Sequence, residues 1–148
     1  MQNNIDIVRG IYEAMERGDL SAVVESFGED CTIELMGPAT IPFAGTYHGP
    51  DAMQRFIEAF TSSADILDFG PDELHADGNF VVALGHERAR AKATGREWKT
   101  RLIDMYEVRD GKVHTFLCAY DTAVVADAFE GLPQQVGESK TEAPRPRA

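Results

Sequence analysis

Three dipeptides, Asp77-Gly78, Thr94-Gly95 and Asp110-Gly111, cut the second half of this chain into four extended segments. Each supplies residues that tolerate the positive φ a tight hairpin demands. The spacing predicts an antiparallel meander with strands over 65–75, 80–93, 96–108 and 112–121. The middle two are long enough that they must twist and bend. A short helix from Thr122 to Phe129 follows.

The first half has the other period. Asn3 or Asn4 can cap a helix carrying Ile7, Val8, Ile11, Ala14 and Met15 on one stripe and ending at Arg17-Gly18. Asp19 can cap a second, short helix that groups Leu20, Val23, Val24 and Phe27. Cys31 to Leu35 then alternates as a strand, Gly37 to Pro50 reads as a Gly/Pro-rich loop, and Asp51 opens a third helix with Ala52, Met53, Phe56, Ile57 and Phe60 inward. Helices followed by a long bent meander describe an α+β class. In it a cone-shaped, curved antiparallel sheet wraps over N-terminal helices and leaves a concavity.

A chain of 148 residues, 43% of them hydrophobic, suits one domain, here residues 1–130. Residues 131–148 are too polar to bury much and are expected to form a flexible tail. The net charge of −11 opposes binding to nucleic acid, and no apolar run approaches the roughly 20 residues of a membrane span. Met1 to Asp6 lacks the basic start and apolar stretch of a signal peptide, so a cytoplasmic location is expected. Cys31 and Cys118 sit in strand-like segments as free thiols. The four histidines, His48, His75, His86 and His114, lack ligand spacing, and no Gly-rich phosphate loop opens a helix, so neither metal nor cofactor is expected.

If Thr94-Gly95 and Asp110-Gly111 are two-residue turns, the two faces of the meander can be written down. One carries Ala83, Gly85 and Glu87, then Trp98, Thr100, Leu102, Asp104 and Tyr106, then Leu117 and Asp121. Small residues leave volume, aromatic ones supply walls and three carboxylates stand among them, so this face is assigned to the pocket. The other face carries Val82, Leu84, Ile103, Met105, Phe116 and Tyr120 among basic residues, an apolar area that suggests a two-fold homodimer. In this register Asp104 faces Leu117 and Asp121 faces Thr100, which sets the two acids four residues or roughly 13 Å apart along the strand, and Glu87 faces Leu102 between them. Glu87 and Asp121 are then the pair expected to cooperate.

The order of elements, the Gly18-Asp19 break, the segment Gly45-Thr46-Tyr47-His48-Gly49-Pro50 and the segment Tyr106-Glu107-Val108-Arg109-Asp110-Gly111-Lys112-Val113 resemble SnoaL-like proteins over residues 4–130. That resemblance implies the nuclear transport factor 2-like, cystatin-like superfold shared with ketosteroid isomerases, limonene epoxide hydrolases and scytalone dehydratases. It supports fold more than function. On it, Asp104 matches the protonated Asp of the ketosteroid isomerase oxyanion hole. That family's base falls on Leu35 and its hydroxyl-donating Tyr on Ile11, with Tyr12 one position away. Asp121 matches the acid/base Asp of SnoaL-like polyketide cyclases, and Glu87 with Asp121 matches the two acidic residues of the epoxide hydrolases. The arginine that bridges those two falls on Gly85, and their water-holding Tyr and Asn fall on Ile33 and Leu35.

Each carboxylate also has a plainer reading. Asp104 can bond to a core Tyr or Trp, Asp121 can cap the last helix, and Glu87 can sit solvated at the rim. The expected function is a cofactor-independent acid/base enzyme (cyclase, isomerase, dehydratase or hydrolase) acting on a small, mostly apolar molecule. Asp121, Glu87 and Asp104 would handle protons. Tyr12, Leu35, Trp98, Thr100, Leu102 and Tyr106, with Leu117 and His48, would line the ligand site. The alternative is a non-catalytic binding or interaction module of the same fold.

Overall fold

The computed structural model describes residues 3–130, so the expectation of a flexible tail over 131–148 lies outside the described residues. Three helices come first: α1 (Asn4–Glu16), α2 (Leu20–Glu25) and, after two strands, α3 (Ala52–Ser63). Asn3 caps α1 by accepting from the Asp6 backbone N–H, and Asp19 caps α2 by accepting from that of Ala22. The strand β1 (Phe27–Leu35) starts earlier than its alternation suggests, so Phe27 belongs to the sheet and not to the α2 stripe. The loop before α3 holds a strand that the Gly and Pro content hid, β2 (Gly45–His48), paired antiparallel to β1.

The meander comprises β3 (Ala64–Asp77), β4 (Phe80–Ala91), β5 (Glu97–Arg109) and β6 (Lys112–Tyr120), and α4 (Thr122–Phe129) closes it. All six strands form one sheet in the order β2-β1-β6-β5-β4-β3, with β1 parallel to β6. The meander is antiparallel as expected, and only the pairing of β1 with β6 makes the sheet mixed. The helices cover one face, burying Val8 and Ile11 of α1, Val23 of α2 and Met53 of α3 against the sheet. No described helix is long and apolar enough to cross a membrane.

Two features of the hairpins decide which side chains point inward. The β4–β5 connection is a four-residue loop, with the Ala91 N–H donating to the Arg96 carbonyl at 2.8 Å. This moves the register by two positions and places Glu87 opposite Thr100. A two-residue shift preserves the faces. The β5–β6 turn is the expected tight one, with φ of 52° at Asp110 and 78° at Gly111. Directly after it, however, Val108 pairs with Val113 whereas Glu107 pairs with Thr115. His114 is thus one extra residue in β6, a β-bulge, and everything beyond it changes face. Phe116, Cys118 and Tyr120 turn inward, while Leu117 and Asp121 turn outward, the reverse of the sequence expectation.

Bulges also interrupt β3 against β4, between Ile66 and Asp68 and between Pro71 and Glu73. At the second, β3 presses onto Gly85, where a Cβ would lie only 2.5 Å from the Gly70 carbonyl oxygen. Such a contact admits glycine alone.

Candidate active site

Inside the cone, between α1, α3 and the inner face of β4 to β6, lies a chamber of about 70 Å³. Its wall is aromatic, with Phe43, Phe69, Phe116 and Tyr120 among the lining residues, and its polar groups are two carboxyls, Asp104 and Glu87, with the hydroxyls of Tyr12, Tyr106 and Tyr120. Met15, Met53, Phe56, Phe60, Phe69 and Glu87 also line an outer groove of about 260 Å³, bordered by Leu20 and Ile66. The chamber and groove therefore share a wall at Glu87.

Asp104 is 4% exposed and stands in mid-β5 opposite Ala83 and Cys118. Its Oδ2 accepts from the Tyr12 hydroxyl at 2.6 Å, and the Tyr12 oxygen accepts from the Tyr106 hydroxyl at 2.8 Å. Its Oδ1 is buried without a hydrogen-bond partner among the described residues, and the Tyr120 oxygen is in the same condition. Burial pushes the Asp104 carboxyl up to about 6, against the pull of the Tyr12 hydrogen bond and the nearby Cys118 thiol. The same burial, with the negative charge of Asp104, raises Tyr12, Tyr106 and Cys118 far above their ordinary values. These three groups therefore stay protonated across the physiological range.

Glu87 is 9% exposed and accepts from the Trp98 indole N–H at 2.8 Å. Trp98 is itself packed among Phe43, Phe60 and Phe129. Burial raises the Glu87 carboxyl to about 7; the indole bond opposes the rise and Asp104 adds to it. The negative charge of Asp104 is thus the smallest of the three influences on Glu87.

The structure brings together Glu87, Asp104, Tyr12, Tyr106, Leu102 and Leu35 of the expected site, with Trp98 behind Glu87. It separates the others. Asp121 caps α4 by accepting from the Val124 N–H at 3.2 Å, and it reaches Thr100 only through its backbone N–H, which donates to the Thr100 hydroxyl at 3.0 Å. Asp121 lines a groove on the outer face with Arg88, Lys99 and Arg101, to whose edge Glu87, Thr100 and Tyr120 also contribute; Thr100 stands opposite Glu87 but does not line the chamber. Leu117 pairs with Met105 on that same outer side. His48 lies on β2, where its Nδ1 is 2.9 Å from the Thr32 hydroxyl at an exposed position, and it does not line the chamber. Glu87 and Asp121 thus line one groove, while the chamber itself pairs Glu87 with Asp104. The inward side chains that sequence reasoning missed are Phe116, Cys118 and Tyr120, because no residue type in Lys112–Thr115 marks the bulge.

The partial resemblances to ketosteroid isomerases and epoxide hydrolases can be set against this geometry. At the position that the ketosteroid isomerase resemblance assigns to a hydroxyl-donating Tyr, Ile11 packs in the core, and it is the neighbouring Tyr12 whose hydroxyl reaches Asp104. The position of the epoxide hydrolase arginine, Gly85, cannot hold a side chain beneath the Gly70 carbonyl.

Comparison with known proteins places the chain among relatives of this architecture. An NTF2-like protein from Burkholderia thailandensis superposes with a TM-score of 0.80 at 28% identity, covering 88% of this chain and 100% of that one. A provisionally assigned isomerase from Bacillus subtilis gives 0.73 at 22% identity over 90% of this chain and 100% of that one. A provisionally assigned polyketide cyclase from Pseudomonas putida gives 0.69 at 15% identity over 86% and 98%. A search of curated proteins finds no match. The SnoaL-like domain profile matches residues 8–115, most of the chain, and the protein therefore belongs to the SnoaL-like domain family.

Proposed function

We propose that the chamber carries out cofactor-independent proton transfer on a small, mostly apolar molecule, with Asp104 and Glu87 as the proton-handling pair. The supporting observation is that two buried carboxyls, Asp104 bonded to Tyr12 and Glu87 bonded to Trp98, flank one aromatic chamber, where burial pushes them up to about 6 and about 7. Asp104 accepts the short Tyr12 bond, which favours its charged form, and that charge in turn opposes ionisation of Glu87. Asp104 then loses its proton first and acts as base, while Glu87 keeps its proton and acts as acid. This order inverts the sequence expectation that Asp104 donates. Removing a proton at one point of a substrate and returning one at another is shared by isomerisation, cyclisation and dehydration. Relatives described as isomerase and polyketide cyclase are consistent with that class.

One observation favours the second reading, a binding module. The Tyr12 and Tyr106 hydroxyls are already engaged with Asp104 and with each other, so neither is free to donate to an oxyanion. Carboxyl-carbon NMR titration of the free protein, assigned through Glu87→Gln and Asp104→Asn, tests the choice. At least one value between about pH 5 and 8 is expected for proton transfer. Ordinary values near 4 for both would leave only the binding reading.

A further inference from the structure

The polar groups of the chamber are unequally divided between donors and acceptors. The Trp98 N–H is engaged with Glu87, the Tyr12 hydroxyl with Asp104 and the Tyr106 hydroxyl with Tyr12. Each of these strong donors supports a carboxyl directly or through one hydroxyl. Beside the weak donor of the Cys118 thiol and the proton held by Glu87, what remains toward a ligand is chiefly acceptor capacity, above all Asp104 Oδ1, buried and unpartnered among the described residues. The Tyr120 hydroxyl, which can accept as well as donate, is also unpartnered.

The surroundings carry the same sign. None of the residues lining the chamber or the groove at Leu20 and Ile66 is Lys, Arg or His; His86, Arg88, Lys99 and Arg101 line only the groove on the outer face, which meets the chamber at Glu87 and Tyr120. The walls instead present rings: Tyr12 lies 6.0 Å from Phe69 and edge-on to Tyr106, and Tyr106 is 4.9 Å from Phe116, centroid to centroid. Ring faces carry negative partial charge and attract a cation within about 6 Å. A carboxylate or phosphate placed here would meet two acids and no counter-charge, at a high desolvation cost.

We infer that the chamber takes an organic amine in its ammonium form, with an apolar body directed past Glu87 into the groove at Leu20 and Ile66. The N–H donors of such a ligand meet Asp104 Oδ1, its charge is balanced by the Asp104 carboxylate, and the rings enclose the remainder. The inference rests on the part of the proposed function that seats the ligand in this chamber, and not on turnover.

Three ligands of one shape, cyclohexylamine, cyclohexanol and cyclohexanecarboxylate, separate the possibilities, read by calorimetry and by fluorescence of Trp98, the single tryptophan of the chain. The amine is expected to bind at least about tenfold tighter than the alcohol, a difference of roughly 1.4 kcal/mol. The carboxylate is expected not to bind. Amine affinity should rise as the pH is raised through 6, and Asp104→Asn should remove the preference for amine over alcohol while alcohol binding persists. Should Asp104→Asn not fold, NMR of the unaltered protein serves instead: the amine must lower the Asp104 titration midpoint. Equal or better binding of the alcohol, or an unmoved midpoint, overturns the inference. Binding of none of the three overturns it together with the ligand-site reading. Amine binding accompanied by ordinary carboxyl values in the free protein supports it while removing the proton-transfer proposal.

Discussion

Tyr12, in the middle of the first helix, donates a hydrogen bond at 2.6 Å to Asp104, 92 positions later in the central strand β5. This one bond joins the helical layer to the sheet at the most buried charge-bearing position of the site, and Tyr106 extends it to a second hydroxyl. Replacing Tyr12 by Phe leaves Asp104 Oδ2 and the Tyr106 hydroxyl without their partner. A loss of about 1–3 kcal/mol in unfolding free energy is expected. The Asp104 midpoint should move further upward, because a stabilising bond to the charged form is removed. Chemical denaturation and carboxyl NMR check the two effects separately.

The buried acids also set a pH dependence of stability. Both have folded-state values raised above their ordinary ones, so their contribution is fully present below about pH 4 and is lost as the pH rises through about 6 for Asp104 and about 7 for Glu87. Glu87→Gln removes one such group. Its stability relative to the unaltered protein should therefore improve between pH 4 and pH 8, by an amount on the order of 3 kcal/mol. Thermal melts of the two proteins across that range are the measurement, and a constant difference would contradict the assignment.

At Asp121 the expected outcome is structural. Asp121→Ala should lower stability by about 1 kcal/mol through loss of the α4 cap, and Asp121→Asn, which can also cap, should cost less. Neither should move the titrations of Glu87 or Asp104. A displaced midpoint in either variant would return Asp121 to the site.

Gly85→Ala places a methyl against the Gly70 carbonyl, inside the closest allowed contact and against backbone that cannot rotate away. A destabilisation of about 1–3 kcal/mol is expected, with loosened pairing of β3 and β4 visible as faster amide exchange at their shared hydrogen bonds.

The outer sheet face carries Ile103 and Met105, 49% and 38% exposed, beside the half-buried Val82, Leu84 and Leu117. We propose a two-fold homodimer through this surface, now with Leu117 in place of Phe116 and Tyr120. Sedimentation at micromolar concentration should give twice the monomer mass of 16.3 kDa, and Ile103→Glu should give the monomer. A monomer before substitution would dispose of the proposal.

The periodicities of the chain settled much of this by local physics. The apolar stripe Val8, Ile11, Ala14 and the caps at Asn3 and Asp19 need only neighbours within a turn of helix, so they were legible. The Asp-Gly and Thr-Gly turns likewise announced the meander, and the alternation of β4 and β5 placed Glu87 and Asp104 on one inner face. What tertiary structure decided were quantities with no local signature. A single extra residue at His114 cannot be seen in a two-residue alternation, yet it exchanged Leu117 and Asp121 for Cys118 and Tyr120 at the chamber. The strand β2 forms in a Gly/Pro-rich loop because β1 presents an open edge for it to pair with. The choice of Tyr12 over Ile11 as the partner of Asp104 depends on the angle at which α1 crosses the sheet, and that angle is fixed by packing between distant segments.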